Sequence, residues 1–434
     1  MDELRVLNLN CWGIRYVSSA VQERIEALVK VLNSAAAHWD FVVLEEIWAD
    51  QDYQHIAESA KNAYPFSYYF YSGVLGSGVC VFSRGQITQV LTHTYSLNGY
   101  FHKLQHGDWF GGKVAGLCRI YYKNLKINLY ATHVHAEYNR KSDEYLPHRI
   151  VQAYELSQFI KCTSSEQDDV NIVAGDFNFE PDDLGYAIVR RFADLKDAWV
   201  CRENASDDDD GLTCNTPDNI YSRPETSEDK VPRGKRIDYI LFGNIGNRPS
   251  VSCVSSNTVL NRIPDSSLCY SDHKGLEAVL RISREGDIEP PSPAISVPSY
   301  TNTLDEALEV LGTGIKRTRE TRYFWLAVLV VALAVLAFTA DIDKASATLV
   351  RWMMNLARVG LTMLVAWCFT TVVVLCRTEH HALLAAKNAM LIQKKWEEGP
   401  QGREMTRRMY LHDGTNDSLS HDQIARSSWP QKTF

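Results

Sequence analysis

Paired cysteines are what this chain lacks first. It has ten cysteines in 434 residues, eight of them scattered before residue 286 and none in a Cys-x-x-Cys pair. That pattern excludes a disulfide frame and a zinc ribbon as first readings and points to reduced, cytosolic thiols. A basic surplus is missing too: 45 Lys and Arg stand against 53 Asp and Glu, for a formal net charge of −8. The acidic excess lies before residue 286. A nucleic-acid partner is therefore not expected, because binding one calls for basic surface against phosphates. Met1-Asp-Glu-Leu-Arg5 has neither a positive n-region nor an apolar h-region, so no secretory signal is expected. No internal repeat stands out beyond two similar apolar runs near the C-terminus.

Those runs are Tyr323 to Ala340 and Val359 to Cys376, each about eighteen residues without Lys, Arg, Asp or Glu. That length spans a bilayer. A buried globular helix is the other reading, but the runs come as a pair with charged flanks. Lys316, Arg317, Arg319 and Arg322 precede the first, and Arg377, Lys387, Lys394 and Lys395 follow the second. The bias predicts a helical hairpin with the N-terminal domain and the tail in the cytosol. The organisation read from the sequence is a catalytic domain over 1–285, a Pro/Ser linker over 286–303 and a juxtamembrane amphipathic helix over 304–322. Spans at 323–340 and 359–376 follow, separated by a loop at 341–358 and ending in a polar tail at 377–434. Thr303-Leu-Asp-Glu306 has the form of a capping box, and Leu304, Leu308, Leu311 and Ile315 make a stripe for the membrane surface or the catalytic domain.

Within the first 285 residues, apolar runs and helical stripes alternate, and later strands dominate. Leu4 to Asn10, Asp40 to Leu44, Val79 to Phe82, Lys126 to His133, Ile237 to Phe242 and Leu276 to Ile282 read as strands. Val21, Ile25, Leu28, Val29 and Leu32 make a helical stripe behind a Ser19/Gln22 capping box, and Leu146 to Ile160 reads as a second helix. The expectation is an α/β (α+β) domain with a layered β core and helices outside. The polar loop from Cys201 to Lys235 carries the acidic run Asp207–Asp210, read as a solvated, mobile segment rather than a calcium site.

The chemistry collects at strand ends. Asn171-Ile-Val-Ala-Gly-Asp176-Phe-Asn178 is a short buried-type strand closed by Gly175, with Asp176 and Asn178 at its carboxyl end. Open α/β sheets place ligands there. Gly-Asp-x-Asn is also a good turn, so the pattern gains weight only with its companions. These are Asn8-Leu-Asn10, Leu44-Glu-Glu46, Thr132-His133-Val-His135, Arg236-Ile-Asp238-Tyr and Ser271-Asp272-His273. Singly, each has a plain structural reading: a turn, a helix start, a core histidine, a salt bridge, an N-cap. All six being structural is far harder to accept than any one.

In this order, Asn10, Glu46, His133, Asp176-x-Asn178, Asp238 and Asp272-His273 resemble the endonuclease/exonuclease/phosphatase superfamily, with its deoxyribonuclease I-like, four-layered α/β sandwich. The surrounding words are similar to the membrane-bound neutral sphingomyelinases: Asn8-Leu-Asn-Cys-Trp-Gly13, Leu44-Glu-Glu-Ile-Trp48, Gly76-Ser-Gly-Val-Cys-Val-Phe-Ser83, His106-Gly-Asp-Trp-Phe-Gly-Gly-Lys113, Thr132-His-Val-His-Ala-Glu-Tyr-Asn139 and Arg236-Ile-Asp-Tyr239. The resemblance runs from about residue 4 to 283, and the two C-terminal runs match it independently. It implies a Mg²⁺-dependent phospholipase C-type reaction on sphingomyelin in a membrane, giving ceramide and phosphocholine. Glu46 would hold the metal, with Asn10 and Asp272 beside it. His273 would be the general base, oriented by Asp238. Asp176 would position the water, Asn178 would bind phosphate oxygens, and His133 would stabilise or protonate the phosphoryl group; His135, one alternation away, is less firmly placed.

Trp109, Phe110, Tyr100 and Phe101 are aromatic candidates for the choline cation, although packing a loop or touching lipid suits them equally. An inositol polyphosphate 5-phosphatase of the same fold is disfavoured, because Phe179-Glu180 replaces that group's aromatic-Arg and Gly234-Lys-Arg-Ile-Asp238 replaces its Pro-Ala-Trp-Cys-Asp-Arg word. A phospholipase C acting on lyso-choline phospholipids needs the same chemistry, and an inactive membrane scaffold would need a broken site. The endoplasmic reticulum is the expected membrane, ahead of the plasma membrane, because short spans suit a thin bilayer.

Overall fold

A computed structural model of the chain describes residues 2–15, 17–34, 38–103, 106–165, 168–205, 210–223, 233–243, 250–283, 300–339 and 348–400. Two six-stranded sheets face one another. The first comprises β1 (Asp2–Asn10), β2 (Phe41–Glu45), β3 (Phe66–Tyr69), β4 (Cys80–Ser83), β11 (Ser250–Val259) and β12 (Gly275–Ser283), in the order β11-β12-β1-β2-β4-β3. The second comprises β5 (Gln86–Thr94), β6 (Val114–Tyr122), β7 (Leu125–His133), β8 (Val170–Asp176), β9 (Lys196–Asp197) and β10 (Asp238–Gly243), in the order β5-β6-β7-β8-β10-β9. Both sheets are mixed: β1 runs parallel to β2 and β7 parallel to β8, and the other strand pairs are antiparallel.

Strand alternation builds three apolar layers from this pair. In β7, Leu129 and Ala131 point between the sheets while Tyr130 points outward. In β1, Leu4 and Val6 enter the inter-sheet core, whereas Leu7 and Leu9 join the layer under α1 (Val21–Leu32) and α2 (Asp50–Ala60). The outer face of the second sheet is covered by α4 (Leu146–Thr163) and α5 (Leu184–Phe192). Strands buried on both faces read as near-continuous apolar runs, which is why β2, β7 and β8 were legible. The result is the four-layered α/β sandwich. The short helices α3 (Asp108–Gly111) and α6 (Ala198–Cys201) lie in connections.

A single helix, α7, runs from Tyr300 to Thr339, so the anticipated juxtamembrane helix and first span are continuous. Thr303 lies buried inside it, not at a cap. Leu304, Ala307 and Leu311 join the core over α4 and α5, so the stripe sits against the catalytic domain. Helix α8 covers Thr348–Thr370 and passes through a π-helical turn, Thr371–Leu375, into α9, Cys376–Glu398. The expected 341–358 loop is thus helical from Thr348, and the expected polar tail begins as a helix. Leu383, Ala386 and Met390 of α9 are buried in the same core as Leu304, an apolar i, i+3, i+7 face that the flanking charges masked. The chain divides into a unit spanning Met1–Met390 and a second from Leu391 to Phe434, whose described part completes α9 and ends at Pro400. Most of the linker, the Asp207–Asp210 run up to its last residue and the tail beyond Pro400 fall outside the described residues. Helix α1 has Ala20, not Ser19, at its N-cap, in the left-handed region with no side-chain cap.

Gly175 matters for the register. It pairs with Thr132 across the parallel β7–β8 ladder, and a Cβ there would collide with the Thr132 carbonyl oxygen. The strands can approach closely only because that atom is missing. Gly175→Ala is expected to lower stability by about 1–3 kcal/mol and to displace the next register pair, His133 and Asp176. Thermal unfolding in detergent should show the loss, and an unchanged melting point would remove this explanation for the glycine.

Candidate active site

Topology carries the six polar clusters to one edge of the sandwich. Asn10 and Glu45 end the parallel strands β1 and β2 as a register pair. His133 and Asp176 end β7 and β8 as another. Asp238 opens the antiparallel β10 directly opposite Asp176, and His273 precedes β12. Glu46 and Asn178, one and two residues past their strands, adopt positive φ values of 58° and 52°. Such a backbone costs free energy in non-glycine residues and collects at functional sites. Beside the cluster opens a cavity of about 1060 Å³, whose lining includes Glu46, Asp176, Asn178, His133, Lys113 and His273.

The central contact is His273 Nδ1 to Asp238 Oδ2, 2.8 Å. It leaves the other ring nitrogen, Nε2, facing Asp176 Oδ2 at 4.0 Å. His133 Nε2 approaches the same carboxylate oxygen to 3.6 Å and Glu46 Oε1 to 4.0 Å. The Asn10 amide nitrogen donates to both acids, to Asp176 Oδ2 at 3.0 Å and Glu46 Oε1 at 3.1 Å. The Asn178 backbone N–H donates to Asp176 Oδ1 at 2.9 Å, and its side-chain nitrogen donates to the Val134 carbonyl at 3.0 Å.

Burial sets the electrostatics. Asp176 is raised above the ordinary carboxylate range by desolvation and by the Asp238 charge. Glu46 is raised by desolvation and by Asp272, and Asp272 itself by desolvation. His133 is pushed well below the usual imidazole value by burial and by the Lys113, His273 and His135 charges, which leaves it neutral near pH 7. Burial alone would lower His273 as well. The Cys214 sulfur and the Asp238 carboxylate outweigh burial and raise it well above the ordinary value.

The acid surplus is the signature of a cation site. Glu45 is fully buried with no partner on either carboxylate oxygen, and Asp238 Oδ1 also has none. Asp176, Asp238 and His273 offer ligand atoms within 4.8 Å of one another. The imidazole of that trio, however, is already held by a carboxylate, and a hard divalent cation prefers oxygen donors. The oxygen-rich side, formed by Glu46 and neighbouring Asp272, fits such a cation better. Asn10 departs from expectation: its nitrogen spaces Glu46 and Asp176, and its oxygen accepts from the Trp12 N–H at 3.0 Å, so it organises the acids rather than offering a bare ligand.

Every other expected site residue lies in or against this cluster. The aromatic candidates do not fare as well. Tyr100 stacks among Tyr145, His102 and His148, and Phe101, Trp109 and Phe110 form their own group. None of the four lines the cavity, whose aromatic walls are Trp48, His106 and Tyr138. His135 lies 3.6 Å from the buried Asp108, which also pairs with Lys113 at 3.1 Å. Glu45, Lys113 and Cys214 were not singled out from the sequence. Glu45 and Lys113 sat inside quoted words, but a buried acid and a buried lysine look like surface charges until the fold is known. Arg149, fully buried on α4, was missed as well. It donates to the Asn178 carbonyl and to Asp143, holding the strained turn from behind.

An imidazole–carboxylate dyad facing an acid cluster at the edge of two packed sheets is the equipment of a phosphoester hydrolase. The sequence profile described as the Endonuclease/Exonuclease/phosphatase family matches residues 7–273. Sphingomyelin phosphodiesterase 2 of Mus musculus is 39% identical over 343 residues, covering 77% of this chain and 80% of that protein. Among solved structures, beta toxin from Staphylococcus aureus is 17% identical at a TM-score of 0.51, covering 63% of this chain and 99% of that one. D. rerio TDP2, complexed with a single-strand DNA product, is 17% identical at 0.50, covering 65% and 100%. The two structures establish the fold alone. The chain belongs to the endonuclease/exonuclease/phosphatase family, on its neutral sphingomyelinase branch.

If His273 acts as a base, activity is lost as pH falls through its raised pKa. Asp238→Asn removes the carboxylate that helps raise it. The acidic limb of kcat/KM should then move to lower pH, while the plateau drops on the order of 10²-fold as the ring loses its orientation. A lower plateau with an unmoved limb would mean that His273 is not the group being titrated.

Proposed function

We propose that the protein is a Mg²⁺-dependent phosphodiesterase that hydrolyses sphingomyelin in the membrane holding it, releasing ceramide and phosphocholine. The observation that carries this reading is the His273–Asp238 dyad, aimed at Asp176 beside an unneutralised acid cluster in an open cleft. Kinship with a protein named sphingomyelin phosphodiesterase supports the choice of substrate. Fold alone would not, since the same architecture serves a DNA-processing protein.

His273 Nε2 takes a proton from the attacking water while Asp238 steadies the imidazolium that forms. Asp176 orients that water, with its own carboxylate fixed by Asn10 and the Asn178 backbone. The Asn178 amide has one N–H committed to Val134 and keeps the other for a phosphate oxygen. His133, being neutral, stabilises the phosphoryl oxygens by donating a hydrogen bond and is not a strong acid. Mg²⁺, held by Glu46 and Asp272 and bordered by Asn10, would neutralise the phosphate and the developing charge on the leaving oxygen. Trp48 and Tyr138 give the choline cation aromatic faces.

Helices α7 and α8 carry the proposed spans. Each is long and apolar enough to cross a bilayer, and only 11% and 22% of their apolar stretches are buried, whereas a core helix would be mostly covered. The basic flanks favour a hairpin with the catalytic domain on the cytosolic side, and the short spans favour the endoplasmic reticulum.

The test is phosphocholine release by the full chain in sphingomyelin mixed micelles, with lyso-choline phospholipid and phosphatidylinositol bisphosphate at matched concentration. Sphingomyelin should turn over, stop with EDTA and resume with Mg²⁺. His273→Ala should cut kcat on the order of 10²–10⁴-fold. Turnover of the lyso-lipid alone would move the substrate assignment, and full activity in His273→Ala would sink the mechanism.

A further inference from the structure

The three cleft-side features that the reaction does not use are apolar and contiguous. The turn after β3 exposes Tyr71 and Leu75 at 59% each and Val74 at 73%. Scattered apolar residues are ordinary on a protein surface, but this turn is docked onto a second apolar segment. Both the Val74 and Leu75 N–H groups donate to the Phe110 carbonyl, at 2.9 and 3.1 Å. Phe110 in turn belongs to a ring cluster: Phe101 lies 4.8 Å from Trp109 and 5.7 Å from Phe110, centroid to centroid. The cluster reaches Trp367 on α8, 5.5 Å from Phe101. Trp367 sits within the apolar run of α8, ten residues before Arg377, or about 15 Å along the helix axis. At the other end of this path, Leu75 lines the cavity beside Trp48 and Gly111.

We propose that Tyr71, Val74 and Leu75, with Phe101, Trp109 and Phe110, form a rim that inserts into the lipid bilayer and holds the cleft mouth at the headgroup layer. The occupant follows from continuity. A catalytic-domain ring that packs on an apolar span at the level of Trp367 is carried to the depth of the membrane with it, and the Val74 turn, hydrogen-bonded to the same segment, is carried alongside. Tryptophan and tyrosine suit that interface, with apolar rings and one polar edge. The consequence for turnover is that a lipid phosphodiester enters the cleft from the side, without its acyl chains crossing water. The inference rests on the reading of α7 and α8 as membrane spans.

The test reconstitutes the full chain in phosphatidylcholine–sphingomyelin vesicles with an environment-sensitive fluorescent amino acid at one of three positions. Position 363 on α8 reports the span. Position 121, seven residues along β6 from Val114 and so about 23 Å away, reports water. Position 74 reports the rim. The expected result is quenching of 363 and 74 by brominated lipid, and of 121 by aqueous iodide alone. Val74→Asp should lower hydrolysis of vesicle sphingomyelin about tenfold and leave hydrolysis of a water-soluble, chain-free aryl phosphocholine within about twofold. Lipid quenching at 363 with iodide quenching at 74 would overturn the rim and keep the spans. Protection of 74 from both quenchers would mean that protein covers it, such as a second copy of the chain, and would also overturn the proposal. Iodide quenching at 363 would overturn the membrane reading and the rim with it. Equal loss on both substrates in Val74→Asp would assign the residue to folding instead.

Discussion

Asp176 is flanked in the sheet by His133 on the parallel strand β7 and by Asp238 on the antiparallel strand β10. Those two registers bring an imidazole and a second carboxylate against it without any loop having to find its place. A slip of one residue in either ladder would turn the partner side chain to the opposite face. Gly175 permits the close approach to β7, and the apolar pattern of Ile172 and Ala174 inward and Val173 outward locks the phase. The rest of the site is arranged around this edge: β1 and β2 bring Asn10 and the Glu45–Glu46 pair, and the strand start at β12 brings His273.

Such an edge concentrates negative charge where water is scarce. Buried carboxylates are costly unless paired, and here Glu45, Glu46, Asp176, Asp238 and Asp272 crowd together. The surrounding cations offset this only in part. Lys113 is itself paired with Asp108, and His273 is tied to Asp238. A site that leaves its acids above their ordinary pKa values gains most from a hard divalent cation, so the electrostatic tension and the proposed metal dependence are one observation. The scaffold behind the edge is built to resist that tension. Arg149 anchors the Asn178 turn from α4, and α7 and α9 brace α4 in turn through Leu304, Leu311 and Leu383. A polar link adds to the brace: Glu379 of α9 meets both His148 of α4, at 3.1 Å, and Thr318 of α7, at 2.9 Å.

Much of this was legible because the strands that carry chemistry are buried on both faces. Their apolar runs ended in polar words, and the words marked the site residues at Asn10, Glu46, His133, Asp176, Asn178, Asp238 and His273. Strands β5 and β11 escaped notice for the opposite reason. They lie at sheet edges, and the half-exposed Gln86-Ile-Thr-Gln-Val-Leu-Thr-His-Thr94 has too few apolar residues to register. The Ser19 cap failed because its polar signal had no geometric check. The aromatic choices failed because composition says that a ring is present in a loop, not which side of the loop the cleft is on. The helical brace in α9 was hidden by the charges that alternate with its apolar face. Glu45 and Lys113 illustrate the general limit: a charged residue's burial is a property of the assembled sheets and cannot be seen in its own neighbours along the chain.

The central claim is that this edge delivers water to phosphorus. Hydrolysis of sphingomyelin by the full chain in ¹⁸O-labelled water, with both products examined by mass spectrometry, tests it most directly. The account predicts one ¹⁸O in the phosphate of phosphocholine and none in ceramide. Label in the primary hydroxyl of ceramide would mean that a carbon–oxygen bond breaks, and would contradict the roles given to His273, Asp176 and Asn178 together.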